Sequence, residues 1–404
     1  MEEDPLRELV AWATSRGVEL NGIAPQRIPG RGVGVLATRD IKADEIVLSV
    51  PTACLRTLST VPKARVRRLT EAGVSVHGIL AADLLAPDSS GRHGSWDAVV
   101  PSAEDFASTP LTWPAELQAL LPPGARELLE KQRAKFARDW DGVAGAFPDL
   151  LLGQDQKGHH TRGGSDRDRE RGRERYRHAW LLVNSRTFYY LDATLKRRRG
   201  TTADDHMALQ PVADLFNHGD EDGCHVAFGG DGFAFRATVD YSAGDEVRIC
   251  YGRHGGDLLL VEYGFVMARN CWDEMLLDEP LLARLDAGQM ERLDAAGFLG
   301  RYVLDRETVC HRTQVALRAL CCAPAEWARF VDGSDHGEAS QGAVDALLLD
   351  LLREYALKVD GAIERVRRLE VGEKLQREIL TERWLQIRGL LDARIEGLEQ
   401  EHRA

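Results

Sequence analysis

Apolar positions along the chain change their spacing repeatedly, and each change predicts a different kind of element. Behind Asp4 and Pro5, residues suited to starting a helix, Leu6, Leu9, Val10 and Ala13 recur at helical intervals and predict a helix that ends near Gly17. From Gly30 the run "GRGVGVLATRDIKADEIVLSVP" replaces that period with a Gly-rich turn, β-branched stretches and a second turn at Lys42 to Asp44, the pattern of two short strands. Residues from 57 to 180 return to helical spacing, with Leu128, Gln132, Phe136 and Trp140 on one face, and Trp180 to Arg186 reads as an apolar helix. After His225, Val226 and Phe228 alternate, then Phe233 and Phe235 around a Gly-Gly-Asp-Gly turn, then Val247 and Ile249 after Ala243-Gly244-Asp245, which predicts strands. Past residue 275 the β pattern fades. Leu348, Leu351, Leu352 and Tyr355 define one helical face there, and Leu380, Trp384, Ile387, Leu391 and Leu398 another, with no proline after Pro324.

Length and charge narrow this picture. At 404 residues the chain exceeds the usual size of one core, so two or three compact units are expected. Lys+Arg 52 against Asp+Glu 64 gives a net charge of -12, which argues against a dedicated nucleic-acid binder and favours a basic protein partner. Seven cysteines, an odd number without CxxC spacing, suggest reduced thiols inside the cell and no zinc finger. No apolar run is long enough to span a membrane, and the acidic start "MEEDPLREL" lacks the features of a signal or transit peptide, so a cytoplasmic or nuclear location, or both, is expected. The charged stretch Lys157 to His178 and the basic run Lys196 to Arg199 read as solvated surface loops, with a substrate-facing surface or a nuclear-import signal as alternatives.

Several stretches carry candidate chemistry. "GRGVG", Gly30 to Gly34, superficially suggests a phosphate loop, yet β-prone residues follow it and no GK[ST] appears, so it reads first as a turn whose backbone could approach a ligand closely. Cys224-His225 offers no convergent set of metal ligands, and no GxSxG marks a hydrolase. "PVADLFNHGD", Pro211 to Asp220, and "RICYGRHGGDLLLVEYGF" remain; alone, Asn217-His218 reads as a turn or cap and Tyr251 as a half-buried strand aromatic.

Taken together and in this order, these segments resemble the motifs of the SET-domain protein methyltransferases. The chain is most similar to the branch that includes the plant Rubisco large-subunit lysine methyltransferase and the actin histidine methyltransferase, in which "SRTF", here Ser185 to Phe188, precedes the Asn-His motif. The resemblance implies an α+β fold: a SET β-fold with a knot-like crossing, interrupted by a helical insertion and followed by an all-helical domain. The corresponding division is 1–56 for the first SET part, 57–179 for the insertion with its charged loop 157–178, 180–273 for the second SET part, and 274–404 for a helical substrate-binding domain.

The same resemblance implies S-adenosylmethionine as cofactor and no metal. Arg31, Gly32, Val33, Arg186, Asp214, Asn217 and His218 correspond to cofactor-binding positions, Tyr251 to the catalytic tyrosine, and Phe188, Tyr263 and Phe265 to the surroundings of the target side chain. It implies methyl transfer to a lysine of a non-histone protein, ribosomal, translational or cytoskeletal, by a monomer. Methylation of histidine, or a non-catalytic binding protein of the same fold, are the alternatives. Two departures stand out: Gly255-Gly256 where relatives often carry Ser-Asn, a polar contact near the site that this chain lacks, and the absence of the cysteine-rich zinc segment found in histone-type enzymes.

Overall fold

The computed structural model describes residues 4–86, 93–151, 166–191, 205–219, 223–401 and 403. The chain divides into two compact units, Met1–Phe106 with Lys131–Arg253, and Ala107–Glu130 with His254–Ala404. The later stretch of the second unit begins at residue 254, and its earlier stretch, 107–130, comes from the region read as an insertion.

The first unit opens with the expected helix, Pro5–Thr14, where the Asp4 carboxylate accepts the Leu6 N–H at 3.2 Å and Leu6, Leu9 and Ala13 are buried. Two antiparallel sheets follow. One has the order Glu19–Leu20, Ile46–Pro51, Gly232–Ala237, Cys224–Gly229, and the other the order Ile23–Ile28, Gly32–Ala37, Glu246–Val247. Each joins the N-terminal part of the chain to the part after residue 223: Leu48 pairs with Phe235, and Val35 with Val247. The strand Ile23–Ile28 has no counterpart in the sequence reading. Its Pro25 weakens the β pattern, and it is tolerated because this is an edge strand. A small pair, Phe188–Tyr189 with Met207–Ala208, stands beside these sheets.

Helices Val76–Leu84 and Asp166–Arg186 pack into this unit's interior together with Phe136, Trp140 and Val143. His77, fully buried, donates from Nε2 to the Trp180 carbonyl at 2.8 Å and stacks on the Trp180 ring, centroids 4.1 Å apart. Burial pulls the His77 pKa down to about 3. Asp139 accepts from the Trp180 indole at 3.1 Å and from Ser75 N and Oγ at 2.8 and 2.7 Å.

The helix Asp166–Arg186 corrects the reading of 157–178 as a loop. Gly172, Tyr176, Ala179, Trp180 and Val183 are all buried and recur on one helical face between the charges. The remaining residues of that expected loop, and Lys196 to Arg199, lie outside the described residues.

In the second unit, helices Glu338–Arg368 and Lys374–Glu401 bury both of the faces read from the sequence, and Trp384 donates to the Leu120 carbonyl at 2.9 Å. The antiparallel pair Glu274–Leu276 with Val303–Asp305 is a β element not anticipated there. Among the described residues no helix is long and apolar enough to cross a membrane.

Candidate functional site

The site begins at a crossing in the first unit. Ile249 uses its own N–H and C=O on one stretch, bonding to Asn217 O at 3.1 Å and accepting from Gly219 N at 2.9 Å. The carbonyl of the preceding Arg248 accepts from Cys224 N at 2.7 Å. Ile249 is therefore bridged in parallel to both His218 and Cys224, and the segment runs between two stretches that are near neighbours in the chain. Tyr251 follows two residues later. Its backbone N–H donates to His218 Nδ1 at 3.1 Å, and its phenol donates to the Phe216 carbonyl at 2.6 Å. Because a backbone N–H can only donate, His218 is held as an acceptor at Nδ1, with its ring 5.1 Å from that of Tyr251. That arrangement suits a structural clamp better than a general base.

The Gly-rich turn meets the same crossing. Asn217 Nδ2 donates to Glu246 Oε1 at 2.8 Å, and Arg31 and Arg248 pair with Glu246 Oε2 at 2.7 and 2.9 Å. Burial opposes the charge on Glu246, but the hydrogen bonds from Asn217 and Arg248 and the two guanidinium charges outweigh it and hold its carboxyl below the ordinary value. Gly34 lies against this pair: a Cβ there would stand 2.4 Å from Ile28 Cδ1, 2.8 Å from Asn217 Nδ2 and 3.0 Å from Glu246 Oε1. The glycine is needed because side chains from three other segments converge on the space that a Cβ would fill. Gly32 and Val33 lie in the same strand, Gly32–Ala37.

Arg186 and Asp214 are brought together as well. Arg186 donates from Nη1 to the Asp214 carbonyl, while the Asp214 carboxylate accepts from the Trp96 indole at 2.9 Å. Burial raises the Asp214 pKa, against the lowering influence of Arg186, Trp96 and Arg56. The Arg56 guanidinium lies over the Trp96 ring, 4.5 Å from its centroid, and pairs with Asp97. Two residues before Asp214, buried Val212 adopts φ 68, a strained conformation for a β-branched residue, costing on the order of 1–3 kcal/mol.

Phe188 packs on the sheet, its ring 6.3 Å from Phe233 and 5.9 Å from Phe235. Phe235 in turn stacks on Phe216 at 5.4 Å, the residue whose carbonyl receives the Tyr251 phenol. Tyr263 and Phe265 belong to the second unit, with rings 6.2 Å apart, and Tyr263 stacks with His254.

Gly255-Gly256 also lies in that unit, and the geometry gives Gly256 a positive reason. Its N–H donates to Asp273 Oδ1 at 2.8 Å, and a Cβ there would stand 2.3 Å from Arg383 Nη1. Arg383, fully buried, bonds Asp257 at 2.7 Å, Asp273 at 2.7 and 2.9 Å and the Glu274 carbonyl at 3.0 Å. A guanidinium from the C-terminal helix fills the space that a side chain at 256 would need.

Sequence reasoning did not find Glu246, Trp96 or Arg56. Glu246 ends an ordinary turn, "SAGDE", and Trp96 lies far from the motif it supports, so neither carries a local signal.

Comparison with known proteins agrees with this geometry. The SET domain family matches residues 32–252. The ribosomal lysine N-methyltransferase set11 of Schizosaccharomyces pombe is 23% identical over 376 residues, spanning 90% of this chain and 90% of that protein. The SET domain-containing protein 4 of Mus musculus is 26% identical, spanning 86% and 81%. The actin-histidine N-methyltransferase of Mus musculus is 23% identical, spanning 68% of this chain and 44% of that protein. Among solved structures, the SET domain of LSMT bound to lysine and AdoHcy superposes with a TM-score of 0.63 at 14% identity, covering 99% of this chain and 92% of that one. Rubisco LSMT bound to AdoMet gives 0.62 at 15% identity, with the same coverage. At that identity the likeness shows the fold, an α+β SET fold continued by a large helical C-terminal region. With the family match covering more than half of its length, the chain belongs to the SET domain family.

Proposed function

We propose that this chain is an S-adenosylmethionine-dependent protein methyltransferase that modifies a lysine side-chain amine of a non-histone protein. The observation that carries the reading is the crossing, which fixes the Tyr251 phenol against the Phe216 carbonyl directly beside Asn217 and His218. The names of its relatives support the chemistry, and the one spanning 90% of both chains is a ribosomal lysine methyltransferase.

The residues present fit the cofactor. Asp214 Oδ1, Arg186 Nε and both amide atoms of Gln210 are buried without a hydrogen-bond partner among the described residues, whereas buried polar atoms are normally satisfied. Arg31, Gly32, Val33, Arg186, Asp214, Asn217 and His218 would hold it. When bound, S-adenosylmethionine supplies a methyl group on a positively charged sulfur.

Tyr251 spends its own proton on the Phe216 carbonyl, so its oxygen is left as an acceptor that can orient an incoming amine. A lysine attacks only when neutral, and its ordinary pKa of about 10.4 falls on entry into apolar surroundings. Phe188 is assigned to those surroundings. Packed edge-on against Phe233 and Phe235, it offers no hydrogen bond to an imidazole, which favours lysine over histidine. Tyr263 and Phe265, in the second unit, keep the substrate role that the family resemblance implies.

The finer assignment is a monomer, cytoplasmic or nuclear, acting on a ribosomal, translational or cytoskeletal protein, with the C-terminal helical region as its docking part. The test is incubation with labelled S-adenosylmethionine and lysate from cells lacking the protein, followed by mass spectrometry of the labelled band. Methyl-lysine is the expected product. Methylhistidine alone overturns the lysine assignment, and no labelled band together with no cofactor binding leaves a binding protein.

A further inference from the structure

The Glu246 carboxylate, with its side chain 8% exposed, is where side chains from separate segments meet: Arg31 from the Gly-rich turn, Asn217 from the crossing and Arg248 from its own strand end. We propose that Glu246 is a positioning residue that presents Asn217 and Arg31 to the amino-acid end of the cofactor. The inference rests on the function proposed above, since it takes S-adenosylmethionine as the ligand.

An ionised carboxylate only accepts hydrogen bonds, so it can hold the Asn217 amide only by Nδ2. That choice fixes one of the two amide orientations and turns Oδ1 away from Glu246 as an acceptor. An acceptor oxygen is what an α-ammonium group requires. Arg31 is gripped by Glu246 through Nη1, while its side chain stays 52% exposed, so other N–H donors of the guanidinium remain for a carboxylate. Two guanidiniums on one carboxylate also leave the cluster net positive. One buried acid thus organises an acceptor for an ammonium and a donor fork for a carboxylate, the complement of an α-amino acid. Gly34 is the condition for this arrangement, because a Cβ there would press on both Asn217 Nδ2 and Glu246 Oε1.

The test compares two probes on the full chain by calorimetry, with competition where binding is weak. S-adenosylhomocysteine carries the amino-acid end, and 5′-methylthioadenosine lacks it. Glu246→Gln is expected to weaken S-adenosylhomocysteine at least tenfold and to change 5′-methylthioadenosine less than twofold, because Gln can donate as well as accept and no longer selects the amide orientation. Equal losses for both probes indicate a merely structural role and overturn the inference, as does no loss for either. Where Glu246→Gln does not fold, Glu246→Asp and Arg31→Ala carry the same comparison, with selective weakening of S-adenosylhomocysteine expected and equal or absent effects overturning it. A wild-type protein that binds neither probe removes the proposed function itself, a result distinct from a failure confined to the variants.

Discussion

The phenol oxygen of Tyr251 lies 2.6 Å from the carbonyl oxygen of Phe216, a contact that spans the crossing and leaves the phenol as a directed acceptor. Tyr251→Phe removes that oxygen and little else. Methyl transfer is expected to fall by about 100-fold or more, a loss typical of removing a group that acts on the reacting atoms. Cofactor affinity by calorimetry should stay within about threefold. Unimpaired turnover in single-turnover assays excludes Tyr251 from the chemistry.

Gly34→Ala forces a methyl group to within 2.8 Å of Asn217 Nδ2 and 3.0 Å of Glu246 Oε1. Overpacking of this kind costs about 1–3 kcal/mol. The expected signature is a lowered urea midpoint together with weakened cofactor binding of about tenfold or more. Wild-type cofactor affinity in the variant contradicts the convergence on Gly34.

Arg383 is paired with two acids, Asp257 and Asp273, and is fully buried. Arg383→Met leaves both carboxylates without their partner, which costs about 3–5 kcal/mol. Gly256→Ser should also destabilise, since its Cβ meets the same guanidinium at 2.3 Å. Equilibrium denaturation measures both. A serine variant as stable as wild type means that position 256 is not closed by Arg383.

His77 sets a pH dependence. Its folded pKa of about 3 lies well below the ordinary value of 6.5, so the unfolded chain takes up a proton first. The stabilisation from keeping the ring neutral is complete above pH 6.5 and is lost as pH falls towards 3. At roughly 1.4 kcal/mol per pH unit, the loss sums to about 5 kcal/mol. Thermal melts across that window should show a shallower decline for His77→Gln than for wild type. Parallel profiles contradict the assignment.

Much of the fold is legible in the sequence where periodicity is strong. Leu348 to Tyr355 and Leu380 to Leu398 bury the faces their spacing predicts, and in the hairpin around Gly230 the strand Gly232–Ala237 buries Phe233, Phe235 and Ala237 in alternation, while Phe228 on its partner strand is exposed. Other features depend on tertiary context. Pro25 conceals a strand that only an edge position permits, and dense charge conceals the buried stripe from Gly172 to Val183. The crossing was legible in its motifs, because Asn217, His218 and Tyr251 lie close in sequence to the segments that form it. Glu246 and Trp96 were not, since what each does depends on partners brought from remote parts of the chain. Gly256 shows the limit most plainly. Read alone it is a missing polar group, and only the position of Arg383 explains it.

The strand Gly32–Ala37 lies between Ile23–Ile28 on one side and Glu246–Val247 on the other. In chain order the first neighbour precedes the strand itself, while the second follows only at Glu246–Val247, after the long helical region between them. Until Val247 leaves the ribosome, one edge of that strand presents unpaired N–H and C=O groups, a template for wrong pairing. The crossing at Ile249 closes later still, so no partial chain ending before it can bind through Asn217 and Tyr251 together. Assembly of this centre therefore waits on a segment far along the chain from the Gly-rich strand, and the interval between the two is when that strand's open edge invites wrong pairing.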